Sequence, residues 1–199
     1  DGAGGFPAVK AFRELAGECR AIVGGGCKLS YAADWSEYAG WRDGGKAIFH
    51  LDPLWADADI DYVGIDWYPP LADWRDGDGG VDAAVFDGPH DPERLRAQVA
   101  GGEGFDWFYA SDEDRDLQLR TPISDMAHGE DWVFRVKDLK GWWSNPHHDR
   151  PGGVRSATPT AWVPGMKPIR LTEFGCPAVD RGANAPNLFP DPKSSEGAI

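Results

Sequence analysis

The residues of this sequence best placed to do chemistry are acids that stand where an extended segment stops. Glu173 closes Lys167-Pro168-Ile169-Arg170-Leu171-Thr172, in which apolar Ile169 and Leu171 alternate with polar Arg170 and Thr172 before Gly175 and Pro177 end the run. Asp34 closes Lys28-Leu29-Ser30-Tyr31-Ala32-Ala33, and Asp66 closes Ile60-Asp61-Tyr62-Val63-Gly64-Ile65. Aromatic residues follow two of these ends, with Trp35, Tyr38 and Trp41 after Asp34, and Trp67, Tyr68 and Pro69-Pro70 after Asp66. Carboxyl groups facing across a groove can act as nucleophile, acid or base, and flat rings stack on sugars, so the pattern predicts a cleft walled by both. The same acids can equally cap a turn, pair with an Arg or accept a local hydrogen bond.

Strand ends become a site only if the strands lie side by side and point the same way, because the loops leaving the carboxyl ends of parallel strands converge. The spacing predicts such α/β units. Phe6, Val9, Phe12, Leu15, Cys19 and Ile22 recur every three or four residues, with Pro7 in the first turn and Gly24-Gly25-Gly26 at the end, which predicts an amphipathic helix leading into the Lys28 strand. About a hundred residues separate the second and third strands, too many for a simple loop, so a long helical insertion is expected over about 71–166. Its helices are expected from the Asp91-Pro92-Glu93 cap, from about Phe105 to Leu119, and from about Asp131 to Trp143, with 71–90 as a Gly- and Asp-rich surface excursion. Asp112, Glu113, Asp114 and Asp116 read as a solvated face, and Asp76-Gly77-Asp78-Gly79 is too short for a calcium loop.

Ser144-Asn145-Pro146-His147-His148-Asp149-Arg150-Pro151-Gly152-Gly153 concentrates hydrogen-bonding side chains between Pro and Gly. His147, His148 and Arg150 could bind substrate hydroxyls or orient a carboxylate; the alternative is a loop packed around Arg150. Adjacent His side chains in extended backbone diverge, which argues against a shared metal, and no cofactor is expected.

Composition narrows the field. The 199 residues are 41% hydrophobic and 12% aromatic, globular values, and 33 acids against 20 Lys and Arg give a net charge of −13. That charge repels phosphate backbones and anionic lipid, so no nucleic-acid contact is expected of this segment. No apolar run reaches the roughly 20 residues of a membrane span. Cys19, Cys27 and Cys176 have neither zinc spacing nor an even count, which predicts reduced, buried thiols.

Longer strings carry a family likeness. Ser144 to Arg150, Thr160-Ala161-Trp162-Val163-Pro164, Lys167-Pro168-Ile169, Thr172 to Asn184 and Asp191-Pro192-Lys193-Ser194-Ser195, with Lys28 to Trp41 and Asp61 to Pro70, resemble the glycoside-hydrolase TIM-barrel-like domain of the tail-hub protein of gene transfer agents and related phages. The likeness spans essentially residues 1–199 as one domain. It implies a partial (β/α)₈ barrel, its C-terminal half, with Lys28, Asp61 and Ile169 opening strands five, six and seven of a longer chain. Strands one to four would precede Asp1, and the outer strand edges near Lys28 and Arg170 should lack partners within this numbering.

By the same resemblance Glu173 is the nucleophile of a retaining glycosidase and the acid/base Glu ends the missing strand four. Tyr68 would hydrogen-bond the nucleophile, Trp67 or Trp35 would be a sugar platform, and Asp34 or Asp66 could substitute for the absent acid. The implied role is cleavage of cell-wall peptidoglycan during DNA delivery by a virion-like particle, made in the bacterial cytoplasm and acting at the envelope. Other tail and baseplate proteins are the implied partners and a homotrimer the implied assembly. The alternatives are a non-catalytic carbohydrate- or receptor-binding tail component on the same scaffold, and a cytosolic sugar-metabolising enzyme.

Overall fold

A computed structural model describes residues 5–188. In chain order the helices and strands are α1 (Pro7–Val23), β1 (Ala32–Asp34), β2 (Trp41–Asp43), β3 (Lys46–Ile48), α2 (Asp52–Trp55), β4 (Val63–Trp67), α3 (Pro92–Ala97), β5 (Trp107–Phe108), α4 (Asp112–Asp116), β6 (Thr121–Pro122), α5 (Leu139–Ser144) and β7 (Ile169–Phe174). The chain divides into two compact units, Asp1–Trp67 with Leu139–Glu173, and Tyr68–Asp138 with Phe174–Ile199.

The first unit is built on a sheet of order β1-β4-β7. β1 and β4 are parallel, with Ala32 opposite Gly64 and Asp34 opposite Asp66. β7 runs the same way, because Val63 N donates to Pro168 O at the strand starts (2.9 Å) and Thr172 Oγ1 donates to Asp66 Oδ1 at the ends (2.7 Å). Gly64 makes this spacing possible, since a Cβ there would lie 2.6 Å from the Tyr31 carbonyl oxygen. Val63, Ile65 and Ala33 are fully buried. β1 and β7 are the outer strands and no barrel closes among the described residues. From Arg170 to Phe174 β7 is exposed.

α1 starts at Pro7 and stops at Gly24, whose φ of +68° lets its N–H reach Arg20 O at 2.9 Å, as the sequence predicts. Its apolar stripe is only partly covered: Val9 and Ala16 are buried, whereas Leu15 is 53% and Ile22 84% exposed.

Below the strands, at their amino ends, charges tie the segments together. Asp61 accepts from Arg20 Nη2 (2.6 Å), Lys28 Nζ (2.8 Å) and Leu29 N (2.8 Å), and these hold its carboxyl well below the usual range, Lys28 first. Lys167 Nζ donates to Asp57 O at 2.9 Å and to Ile60 O.

Trp41 lies in a hairpin, β2 with β3, turned by Gly44 and Gly45 at φ +53° and +84°. A two-residue turn with both central φ values positive follows the right-handed twist of its strands, which is why Gly-Gly occupies it. The thiols are free but not buried, with Cys27 and Cys176 exposed and Cys19 half-buried.

The second unit departs furthest from expectation, for the long insertion is not predominantly helical. α3 is capped as predicted, Asp91 accepting from Glu93 N and Arg94 N. The helix expected from Phe105 to Leu119 is instead the antiparallel pair β5 with β6 and the short α4, because Asp106 Oδ2 turns the chain at Gly102 N (2.8 Å) and Ser111 starts a new helix by capping Asp114 N. The helix expected from Asp131 to Trp143 is a single turn, Asp131–Val133, followed later by α5. Between them Lys137 is drawn into the interior, donating to Gln98 O (3.1 Å) and Gly101 O (2.9 Å). Residues 71–90 are a surface excursion only in part: Asp76, Gly77, Asp78, Val85 and Asp87 are exposed, whereas Asp73 and Asp82 are 7% and 2% exposed. The acids of α4 do face solvent, Asp112, Glu113 and Asp116 being exposed and Asp114 half-buried.

Candidate functional site

At the carboxyl edge of the three-stranded sheet the chain delivers Asp34, Asp66 and Glu173 from β1, β4 and β7. Neighbouring strands lie about 4.8 Å apart, so Asp66 stands one strand from each of the other two. Asp66 and Thr172 meet on one face of the sheet, joined by their hydrogen bond. Glu173 is exposed near the end of β7, just before Gly175 at φ +157°. The two-residue period of the strand turns Glu173 away from the Thr172 face.

Asp34 is engaged locally. Its Oδ1 accepts from Ser36 N (2.8 Å) and Ser36 Oγ (2.6 Å), and its carbonyl accepts from Glu37 N and Tyr38 N. The signal for this was present in the sequence as Asp followed two residues later by Ser, the pattern of an Asx turn. Trp35, half-buried beside it, keeps its indole Nε1 buried without a partner among the described residues. Trp67 is half-buried and leans edge-on against the buried Tyr38 ring at 6.2 Å. Tyr68, the next residue, is half-buried and opens the second unit.

Sequence reasoning passed over Tyr31 and Glu37. The Tyr31 hydroxyl donates to Glu37 Oε2 at 3.0 Å, and burial, then Glu37, push its pKa up to about 12, with Asp34 and Asp66 adding to the rise. Nothing in their spacing links Tyr31 to Asp66, since strand pairing alone makes them neighbours.

The His147 loop lies elsewhere in role. His147 is 0% exposed, its ring stacked on Phe49 (4.3 Å between centroids) and on Trp162 (5.3 Å). Its Nε2 donates to Trp142 O at 2.7 Å, and its Nδ1 meets Asp52 Oδ2 at 2.9 Å. Thr160 Oγ1 donates to the same Asp52 oxygen. Burial pushes the Asp52 carboxyl above its ordinary value, against the pull of His147 and Thr160. Both ring nitrogens are therefore spent inside the chain, and His147 has no edge left for a substrate hydroxyl. Arg150 is 3% exposed and its backbone pairs with Ala47 (N to O, 2.6 Å). His148, half-buried, holds Ser156 O through Nδ1 at 2.8 Å. Of the two readings of this loop, its side chains and backbone occupy the packed one.

Among the described residues no group of three or more His, Cys, Asp or Glu is arranged to hold a metal, and no helix is long and apolar enough to cross a membrane. Parallel strands with helices before and between them, and acids gathered at their carboxyl ends, define a TIM-barrel-like α/β domain. The chain belongs to the GTA TIM-barrel-like domain family, gene transfer agent domains whose family model matches residues 1–199. No curated protein matches it.

Proposed function

We propose that this chain is the C-terminal part of a glycoside-hydrolase domain that cuts cell-wall glycan for a gene transfer agent particle, at its tail hub. The observation that carries the reading is the placing of Asp34, Asp66 and Glu173 at the carboxyl ends of three adjacent strands of one parallel sheet, with Trp35 and Trp67 following two of them. In a retaining mechanism Glu173 attacks the anomeric carbon, and a second carboxyl about 5–5.5 Å away protonates the leaving oxygen and then activates water. Asp66, one strand away, is the nearer candidate for that second group; Thr172 holds one of its oxygens.

Supporting the partial-barrel reading, β1 and β7 are outer strands and the β7 and α1 surfaces keep Leu171, Phe174, Leu15 and Ile22 exposed, surfaces that further strands and helices of a closed barrel would cover. In a longer polypeptide carrying this segment, amides of β1 and β7 should gain protection from hydrogen exchange. The decisive assay is release of soluble glycan from purified peptidoglycan by that polypeptide. Glu173→Gln should lower the rate by at least about a thousandfold while leaving the fold intact; retained turnover sinks the assignment.

A second reading has its own support. Asp34 and Asp66 each commit an oxygen to a neighbour, as acids do in a site that binds without turnover. It predicts co-sedimentation with peptidoglycan that survives Glu173→Gln and no release by the wild-type protein. Tail and baseplate proteins as partners, and a trimeric assembly, remain part of the proposal.

A further inference from the structure

The first unit holds an open-mouthed pocket of about 440 Å³ between the first turns of α1 and the segment running from β3 into α2. None of the three strand-end acids lines it. Its volume falls within the roughly 300–1,000 Å³ of small-molecule sites. Phe6, Val9, Phe49 and Pro53 make the wall mostly apolar, Val9 and Phe49 being buried. Polar side chains with bonding capacity to spare are set into that wall. Asp149 commits Oδ1 to Phe49 N (2.8 Å), and its Oδ2 accepts no hydrogen bond among the described residues. His50 stacks on Phe6 (5.0 Å between centroids) and meets Ile48 O through Nδ1 at 3.4 Å, which leaves Nε2 without a partner among the described residues. Lys10 approaches Glu14 no closer than 3.8 Å.

Ile48, also in the lining, stands opposite Trp41 in the β2–β3 ribbon, and such cross-strand neighbours share a face with Cβ atoms about 5 Å apart. Trp41 therefore stands at the pocket's rim. It is 46% exposed, and its indole has neither a ring partner nor a hydrogen bond among the described residues. The ribbon beneath it is fixed, because Arg42 donates to Ala39 O (3.0 Å) and Gly40 O (3.1 Å) and Ala47 exchanges backbone hydrogen bonds with Arg150. A ring on so firm a support loses little freedom when a ligand stacks on it.

We propose that Trp41 and this pocket form a binding site for a 2-acetamido sugar. A pyranose presents an apolar C–H face to the Trp41 ring and hydroxyls to Asp149 Oδ2, His50 Nε2 and Lys10 Nζ. Its acetamido methyl is matched by the apolar wall of Phe6, Val9 and Phe49. A phosphate fits less well, since Arg13 is already paired with Asp57 (2.7 Å) and Asp149 adds negative charge to the wall. The site goes beyond the hydrolytic reading, for it holds a sugar whether or not the strand-end acids cut one.

The test titrates the 199-residue chain with the trisaccharide of β-1,4-linked N-acetylglucosamine, followed by NMR, with cellotriose as the sugar lacking acetamido groups. The expected result is saturable binding of the first with a Kd of about 1 mM or tighter, and binding of cellotriose at least about tenfold weaker. Trp41→Ala and His50→Ala should each weaken the trisaccharide about tenfold at an unchanged Tm. Crystals soaked in the trisaccharide should show a ring over Trp41, and this arm decides alone if the variants do not fold. No saturable binding, equal affinity for cellotriose, affinity that survives both substitutions, or a sugar seated only at Asp34, Asp66 and Glu173 overturns the proposal.

Discussion

His147 shows how a residue type that invites a functional reading can be spent on structure. Its ring sits in a stack of Phe49, Trp142 and Trp162, and Asp52 depends on it for a charged or proton-sharing partner in a place water does not reach. Removing one member of such a pair strands the other, so His147→Ala should destabilise the chain by about 3–5 kcal/mol in urea unfolding. A loss under about 1 kcal/mol would mean the pair is idle. Lys137 offers a titration experiment. Burial lowers its pKa from 10.5 to about 8. Between those two values the unfolded chain holds a proton that the folded chain has released, so stability rises with pH across that window, by up to about 1.4 kcal/mol per unit. The slope should appear in chemical denaturation of the wild type and flatten in Lys137→Met. Tyr31 works in the other direction: with a folded pKa of about 12 against 10.0, its contribution is present below pH 10 and fades as pH climbs through 12.

Among the elements, legibility followed the range of the forces involved. α1 and the α3 cap were readable because their start and stop signals lie within a few residues of the backbone they satisfy. The strands ending at Asp34, Asp66 and Glu173 were readable from alternation and from the breakers after them. The stretch from Phe105 to Val136 was misread because its aromatic and acidic residues mimic helical spacing, while the fold there is decided by Asp106, Ser111 and Lys137 bonding to backbone groups. The Gly44-Gly45 hairpin was legible and overlooked. Of the candidate site, Asp34, Trp35, Asp66, Trp67 and Glu173 were found by position on strands; the Thr172 bond to Asp66 and the burial of His147 depend on segments about a hundred residues apart. The sheet also has a point of least tolerance. Gly64→Ala would drive a methyl into the Tyr31 carbonyl, an atom fixed by the β1 pairing, and should cost about 1–3 kcal/mol with an unchanged m-value. If the variant unfolds at the wild-type midpoint, the β1–β4 approach is looser than drawn.

For the molecule as a whole the governing number is a net charge of −13. Fluorescence anisotropy with labelled duplex DNA at low salt should show no saturable binding, and a salt-dependent isotherm would reveal a local basic face strong enough to override the total.

The ionic knot around Asp61 and the lysine clasp at Asp57 and Ile60 sit at the amino ends of the strands, while Asp34, Asp66 and Glu173 sit at the other. The five residues of β4 set roughly 16 Å between the two. At that separation substitutions add rather than interfere, so the anchoring end can absorb sequence drift that leaves the acids undisturbed, and the loops above can be rewritten without loosening the foundations. Such a division gives a lineage freedom to change what the upper rim recognises while inheriting the same chassis.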